Sequence, residues 1–291
     1  MFLLFIAIAI WGSSLPIGKL AYHSFEPVIL VQFRFCIAAL IILPTFIRVL
    51  RKIPQHLYKN LAILSFLNYP LVFLLQFIGL KYTSASSAVT MLGLQPLIMV
   101  FVGHLFFKEK ASKFEYFLGL LAFIGISLVV SDDDPNSQID AWGCFLILSS
   151  TITFAFTVRW AQQIMKEIPP RSYTAITIMF GMIFCLPFTL LLNQQWHFTP
   201  SIVDTMALLY LGIACSWLAP KLWNNGLPFV SANISGVISA LEPIFGILFA
   251  ILFLHEQITW KIGIGITLVL GVTLIFILYS LKKPPHNTTA N

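Results

Sequence analysis

The chain has 291 residues, of which 58% are apolar and only 10% charged, and its mean hydropathy is +0.90. A soluble domain needs roughly a quarter of its residues charged to cover its surface, so a soluble fold is excluded and lipid must solvate most of the exterior. The net charge of +6 would point to nucleic acid in a soluble protein; here its distribution along the chain carries the meaning.

Apolar runs without strict alternation select helices over a barrel, because about 20 helical residues cross a bilayer core. Ten such runs follow in order: Phe2–Ala21, Pro27–Leu50, Leu57–Leu80, Thr83–Phe107, Phe114–Ser131, Ala141–Ala161, Ser172–Leu192, Ile202–Asn225, Phe229–Leu254 and Thr259–Leu281. The first has no basic flank and continues through Trp11-Gly12-Ser13-Ser14-Leu15-Pro16 to Lys19 without a cleavage site, so it is expected to be an uncleaved helix. The remaining loops are too short for a soluble catalytic or nucleotide-binding domain, and no GxxxxGK[ST] motif occurs; both argue against an ATP-driven pump. Cys36, Cys144, Cys185 and Cys215 fall in four different runs with no CxxC pair, which supports neither disulfides nor a metal, and no cofactor is expected.

With the N-terminus placed inside, the even-numbered loops and the C-terminus collect Arg48, Arg51, Lys52, Lys59, Lys108, Lys110, Lys113, Arg159, Lys166, Arg171, Lys282 and Lys283. The odd-numbered loops collect only Lys19, Lys81 and Lys261, together with the acidic run Asp132-Asp133-Asp134. This twelve-to-three split follows the positive-inside rule and predicts ten spans with both termini cytoplasmic, in a plasma membrane or bacterial inner membrane.

A shift of 147 residues aligns the two halves. Gly79-Leu80-Lys81-Tyr82-Thr83-Ser84-Ala85 matches Gly226-Leu227-Pro228-Phe229-Val230-Ser231-Ala232, Gln95-Pro96 matches Glu242-Pro243, and Glu109 matches Glu256. Halves with an odd number of spans must lie in opposite orientations, which is the inverted-repeat plan of many secondary transporters. The expected fold is therefore an all-α integral membrane protein of ten transmembrane helices in two inverted five-helix repeats. These cover 1–131 and 141–281, with a short tail over 282–291.

These residues resemble the EamA-type family of the drug/metabolite transporter superfamily, and the chain is similar to bacterial exporters of amino acids and metabolites. The resemblance rests on Trp11-Gly12-Ser13…Lys19, Pro27…Arg34, the block from Gly79 to Ala85 with Pro96 and Phe107-Lys108-Glu109-Lys110, and its copy ending Glu242-Pro243…His255-Glu256. It implies a small-molecule substrate among amino acids, amines, nucleotide-like metabolites and drugs, and a family arginine at Arg34. Pro220-Lys221 departs from the apolar or aromatic stretch usual in relatives.

Ionisable groups inside spans are functional by default. Glu242 lies halfway along the ninth run, on one face with Ser235, Ser239 and Gly246. Pro243 leaves the carbonyl of Ser239 without a donor beside that carboxylate, as Pro96 does for Leu92 beside the neutral Gln95. Low dielectric disfavours a charged carboxyl, which makes Glu242 a candidate proton carrier; a structural pair with Lys221 is the bland alternative. Trp11, Tyr69, Trp217 and Trp223 cluster at the same level, and rings with a few polar groups suit a ligand pocket. Together with Glu242 they would also suit an organic cation.

Asn68, and Ser150, Thr153 and Thr157 along one face of the sixth run, add hydrogen-bonding groups. The candidate substrate-binding residues are thus Trp11, Asn68, Tyr69, Gln95, Thr153, Trp217, Lys221, Trp223 and Glu242. Arg34 is expected in a peripheral helix with a structural or interfacial role. Lys19 and Glu26 are placed at the outer mouth, and Glu109 and Glu256 at helix ends as caps. Trp142, Trp160, Trp196 and Trp260 flank spans as belt anchors.

The runs carrying midplane prolines or polar stripes (first, third, fourth, sixth, eighth and ninth) should bound a central cavity, leaving the second, fifth, seventh and tenth nearer lipid. The reading is an alternating-access transporter or facilitator for amino acids or related metabolites, outward, with proton coupling at Glu242, as a monomer or homodimer. An organic-cation carrier is the alternative. A membrane enzyme would need a paired acid–base or metal constellation, whereas His23, His56, His104, His197, His255 and His286 are dispersed.

Overall fold

The computed structural model describes residues 1–107, 112–130, 139–193, 199–230, 235, 238–239 and 241–282. Asp132-Asp133-Asp134, Glu109, Trp196 and most of the tail fall outside the described residues, as do Lys108, Lys110, Lys283, His197 and His286. Among the described residues every regular element is a helix. They are numbered to follow the apolar runs: α1 Phe2–His23, α2 Pro27–Leu50, α3 Gln55–Lys81, α4a Ala85–Leu92, α4b Gln95–Phe107, α5 Lys113–Val130, α6 Ala141–Ile164, α7 Pro170–Leu192, α8 Ile202–Phe229, α9 Glu242–Leu254 and α10 Trp260–Lys282.

Local chemistry fixes the helix starts. α2 and α7 open on a proline, whose missing N–H is lost at no cost in a first turn. Asp140 caps α6 by accepting from Trp142 N at 2.8 Å, and Ser201 with Asp204 forms a reciprocal capping box on α8. Among the described residues eight helices are long and apolar enough to cross a membrane, or nine when the bent pair α4a–α4b counts as one. The ninth run is only partly described, and its helix α9 has 13 residues.

Lipid tails give apolar helices no hydrophobic reason to associate, so close backbone approach and polar contacts must hold the bundle. Gly79 of α3 and Gly143 of α6 face each other so closely that a Cβ on either would sit 2.7–2.8 Å from the other's carbonyl oxygen. Gly125 of α5 and Gly265 of α10 repeat this arrangement.

The packing pairs are symmetric under exchange of the halves: α2 packs on α7, α4a on α9 and α5 on α10. Likewise α1 with α8 mirrors α6 with α3, and α1 with α9 mirrors α6 with α4. Exposed apolar side chains such as Leu40, Phe123, Leu191 and Leu274 cover the outer surface, and Trp142 and Trp260 project from span ends. The expectation of a peripheral α2 needs correction: packed between α7 and α8, it is more buried than any other of the eight spans.

Candidate functional site

Six helices surround a cavity enclosing about 880 Å3 of empty space. Trp11, Ser14 and Leu15 come from α1; Asn68, Tyr69, Val72, Phe73 and Gln76 from α3; Leu92 and Gln95 from α4. From the other half come Thr151, Phe154, Val158 and Ala161 of α6; Pro220, Trp223, Asn224 and Leu227 of α8; and Glu242 of α9. The contributing helices are the six that carry midplane prolines or polar stripes; α2, α5, α7 and α10 supply no lining residue.

Gln95 and Glu242 each open a helix and each precede a proline, which suits a first turn. The turns before them are alike: Leu94 N donates to Met91 O at 3.2 Å, and Leu241 N to Ile238 O at 3.1 Å. In the first half the proline does more than free a carbonyl, since α4a and α4b meet at a 41° bend. A carboxylate at a helix N-terminus is favoured by the peptide dipoles. Among the described residues no hydrogen bond or ion pair reaches the Glu242 side chain, and Gln95 Oε1 is buried without a partner. Ser235 and Ser239 are fully buried on the face expected for them.

Aromatic rings build the walls. Trp11 lies 5.4 Å from Trp223 and 6.4 Å from Phe154, and its indole N–H donates to Cys215 O at 3.0 Å. Tyr69 packs between Phe35 and Phe73. Thr157 donates to Asn68 Oδ1 at 2.8 Å, which fixes the amide beside the cavity. Asn68 and Tyr69 sit in a widened i→i+5 turn, Leu67–Leu71, and α8 widens likewise over Leu211–Leu218. Such turns recur at functional sites because they re-aim side chains and loosen carbonyls.

Three expected residues are not brought to the cavity. Thr153 turns its hydroxyl onto Ser149 O at 2.9 Å; the lining face of α6 is Thr151, Phe154, Val158 and Ala161, and a residue two positions from Thr151 points away at helical pitch. Trp217 and Lys221 share another face of α8, with the Lys221 ammonium 5.0 Å above the Trp217 ring. Lys221 is exposed and forms no ion pair with Glu242. The widened turn Leu211–Leu218 shifts the register of α8, so Pro220, Trp223, Asn224 and Leu227 face inward instead.

Sequence reasoning passed over Ser14, Phe73, Gln76 and Asn224. Gln76 had a legible signal, a polar residue on the same helical face as Tyr69, Val72 and Phe73. Arg34 was also misjudged: it is fully buried. Its Nε donates to Ser216 Oγ at 2.6 Å and its Nη1 to Ser14 Oγ at 3.3 Å, while the guanidinium lies 4.7 Å from the Phe73 ring and 4.9 Å from Phe77.

The lining extends to Ala161 and Leu227, near the ends of α6 and α8. At the opposite end Glu256 accepts from Ala85 N at 2.7 Å and from Ser86 N at 2.9 Å, capping α4a. Lys19 lies 3.9 Å from that carboxylate and donates to Thr83 O at 2.6 Å. Glu256 is thus the cap expected of it, and Glu26 pairs with Lys81 at the same end.

Long apolar helices around an aromatic cavity floored by Gln95 and Glu242 define an integral membrane protein built to hold a small molecule within the bilayer. The model of the EamA-like transporter family matches residues 1–131 and 141–278. The chain belongs to that family: it is a transporter in a lipid environment with a small-molecule substrate, and not an enzyme.

An uncharacterized transporter of Haemophilus influenzae is 45% identical over 144 residues, 48% of this chain and 85% of that one. The uncharacterized transporter YetK of Bacillus subtilis is 26% identical over 96% of this chain and 86% of its own. A Salmonella typhimurium protein named "Probable amino-acid metabolite efflux pump" is 24% identical over 93% of this chain and 92% of its own. A solved crystal structure superposes with a TM-score of 0.68 at 16% identity, covering 97% of this chain and 98% of that one; at that identity the likeness is one of fold.

Proposed function

We propose that the protein is an alternating-access secondary transporter that moves amino acids or related small metabolites outward across a bacterial inner membrane. Its architecture in this reading is ten spans in two inverted repeats, with both termini cytoplasmic. The observation that carries it is a single cavity lined by three helices of each half, with the matched residues Gln95 and Glu242 at its floor. Support for the repeat comes from packing pairs that survive exchange of the halves and from the identical turns at Leu94 and Leu241. The amino-acid assignment leans on the printed name of the Salmonella relative.

Glu242 gives transport its coupling in this proposal. A carboxyl group without a protein partner at mid-membrane is cheapest neutral or paired with a cation, so a proton and the substrate's ammonium group compete for it. The same observation favours a second reading, an organic-cation carrier, because Trp11 and Trp223 present ring faces beside the carboxylate.

Proteoliposomes loaded with pooled amino acids and amines, with and without a pH gradient, test the proposal. Gradient-driven movement of amino acids is expected. Movement of permanent cations alone would select the second reading, and movement of neither would end both.

A further inference from the structure

Two charged side chains of opposite sign stand at this cavity, and neither has an ion-pair partner among the described residues. Glu242 lines it. Arg34 lies one side chain behind the wall, bonded to Ser14 and stacked on Phe73, both of which line it. The spacing of 147 that pairs Glu242 with Gln95 pairs Arg34 with Gly181, so each half supplies one charge where the other half is neutral. A buried guanidinium with no carboxylate near it is costly unless something else meets its field. Two serine hydroxyls and aromatic faces meet part of it, but Nη2 has no hydrogen-bond partner among the described residues.

We propose that Arg34 and Ser14 form the reader of the substrate's anionic group, with Ser14 in contact and Arg34 as the positioning residue behind it. Ser14 Oγ accepts from Arg34 Nη1, so its own hydrogen is left to donate into the cavity. A hydroxyl polarised by a cation is a stronger donor to a carboxylate than a free one. The ammonium group of the same molecule then turns to Glu242, and the cavity selects compounds carrying both charges over amines carrying one. This inference rests on the transport reading above and adds which residues sense the carboxylate.

The test uses the full chain in proteoliposomes with labelled phenylalanine and its decarboxylated counterpart phenethylamine. Ser14→Ala and Arg34→Met should each cut phenylalanine transport roughly tenfold, the scale of one charge-assisted hydrogen bond, and leave phenethylamine within about twofold. Ser14→Thr, which keeps the hydroxyl, should restore phenylalanine. If Arg34→Met does not accumulate, Ser14→Ala decides alone. Equal loss for both compounds, or no loss for either, overturns the assignment while transport itself stands. A wild-type protein that carries phenethylamine but not phenylalanine also overturns it, and one that carries neither removes the transport reading beneath it.

Discussion

At Glu242 the question is what the carboxylate does without a protein partner. Had it formed a buried pair with Lys221, Glu242→Gln would strand that lysine at a cost of about 3–5 kcal/mol, and protein level would fall. Lys221 instead lies over Trp217 on an exposed face. Glu242→Gln is therefore expected to fold and accumulate normally, yet to lose transport or its dependence on the pH gradient. Lys221→Met should change neither amount nor transport. Size-exclusion profiles and uptake rates of the two variants check this; aggregation of the glutamine variant, relieved by adding Lys221→Met, would restore the structural pair.

The lesson about legibility at this scale is specific. Trp11, Gln95 and Glu242 could be found because Pro96, Pro243 and the repeat mark the midplane. Trp217 and Lys221 were misplaced because nothing in the sequence announces the widened turn that rotates α8 beneath them.

Among the elements, the glycine contacts make the clearest forecast. A methyl group at Gly143 would meet Gly79 O at 2.7 Å and Tyr82 Cβ at 2.8 Å, and backbone cannot move aside as a side-chain end can. Gly143→Ala should destabilise the α3–α6 contact by about 1–3 kcal/mol, seen as a lower melting midpoint in detergent. Gly271 has nothing within 4 Å of its notional Cβ. Gly271→Ala in the same helix environment should be neutral or stabilising by up to about 1 kcal/mol.

The cap on α4a makes a second forecast at this scale. Glu256→Ala removes acceptors from Ala85 N and Ser86 N and should cost about 1–2 kcal/mol, with faster hydrogen exchange confined to the first turn of α4a as its signature. The apolar runs gave away each helix, but not the 41° break in α4. A proline signals a missing hydrogen bond, whereas the size of the bend depends on what packs around it.

For the whole molecule, the twelve-to-three charge split and the symmetric packing lead to one topology. In a background with the four native thiols replaced, Gln257→Cys should react with an impermeant reagent only from outside and Lys166→Cys only from inside. Reaction of both from one side would sink the inverted arrangement. The widened turns have a further consequence, for how the chain tolerates changes in length. Leu67–Leu71, moved by the repeat spacing of 147, falls within Leu211–Leu218, so each half carries one surplus residue wound into its third helix. Deleting a single residue there lets the turn relax to ordinary α-helical winding, which a deletion in the regular winding of α7 cannot do. The helix survives, but everything beyond the deletion rotates by roughly 100°. Such shortened chains should insert and fold while Trp223 and Asn224 swing off the cavity, which separates assembly of the bundle from its selectivity.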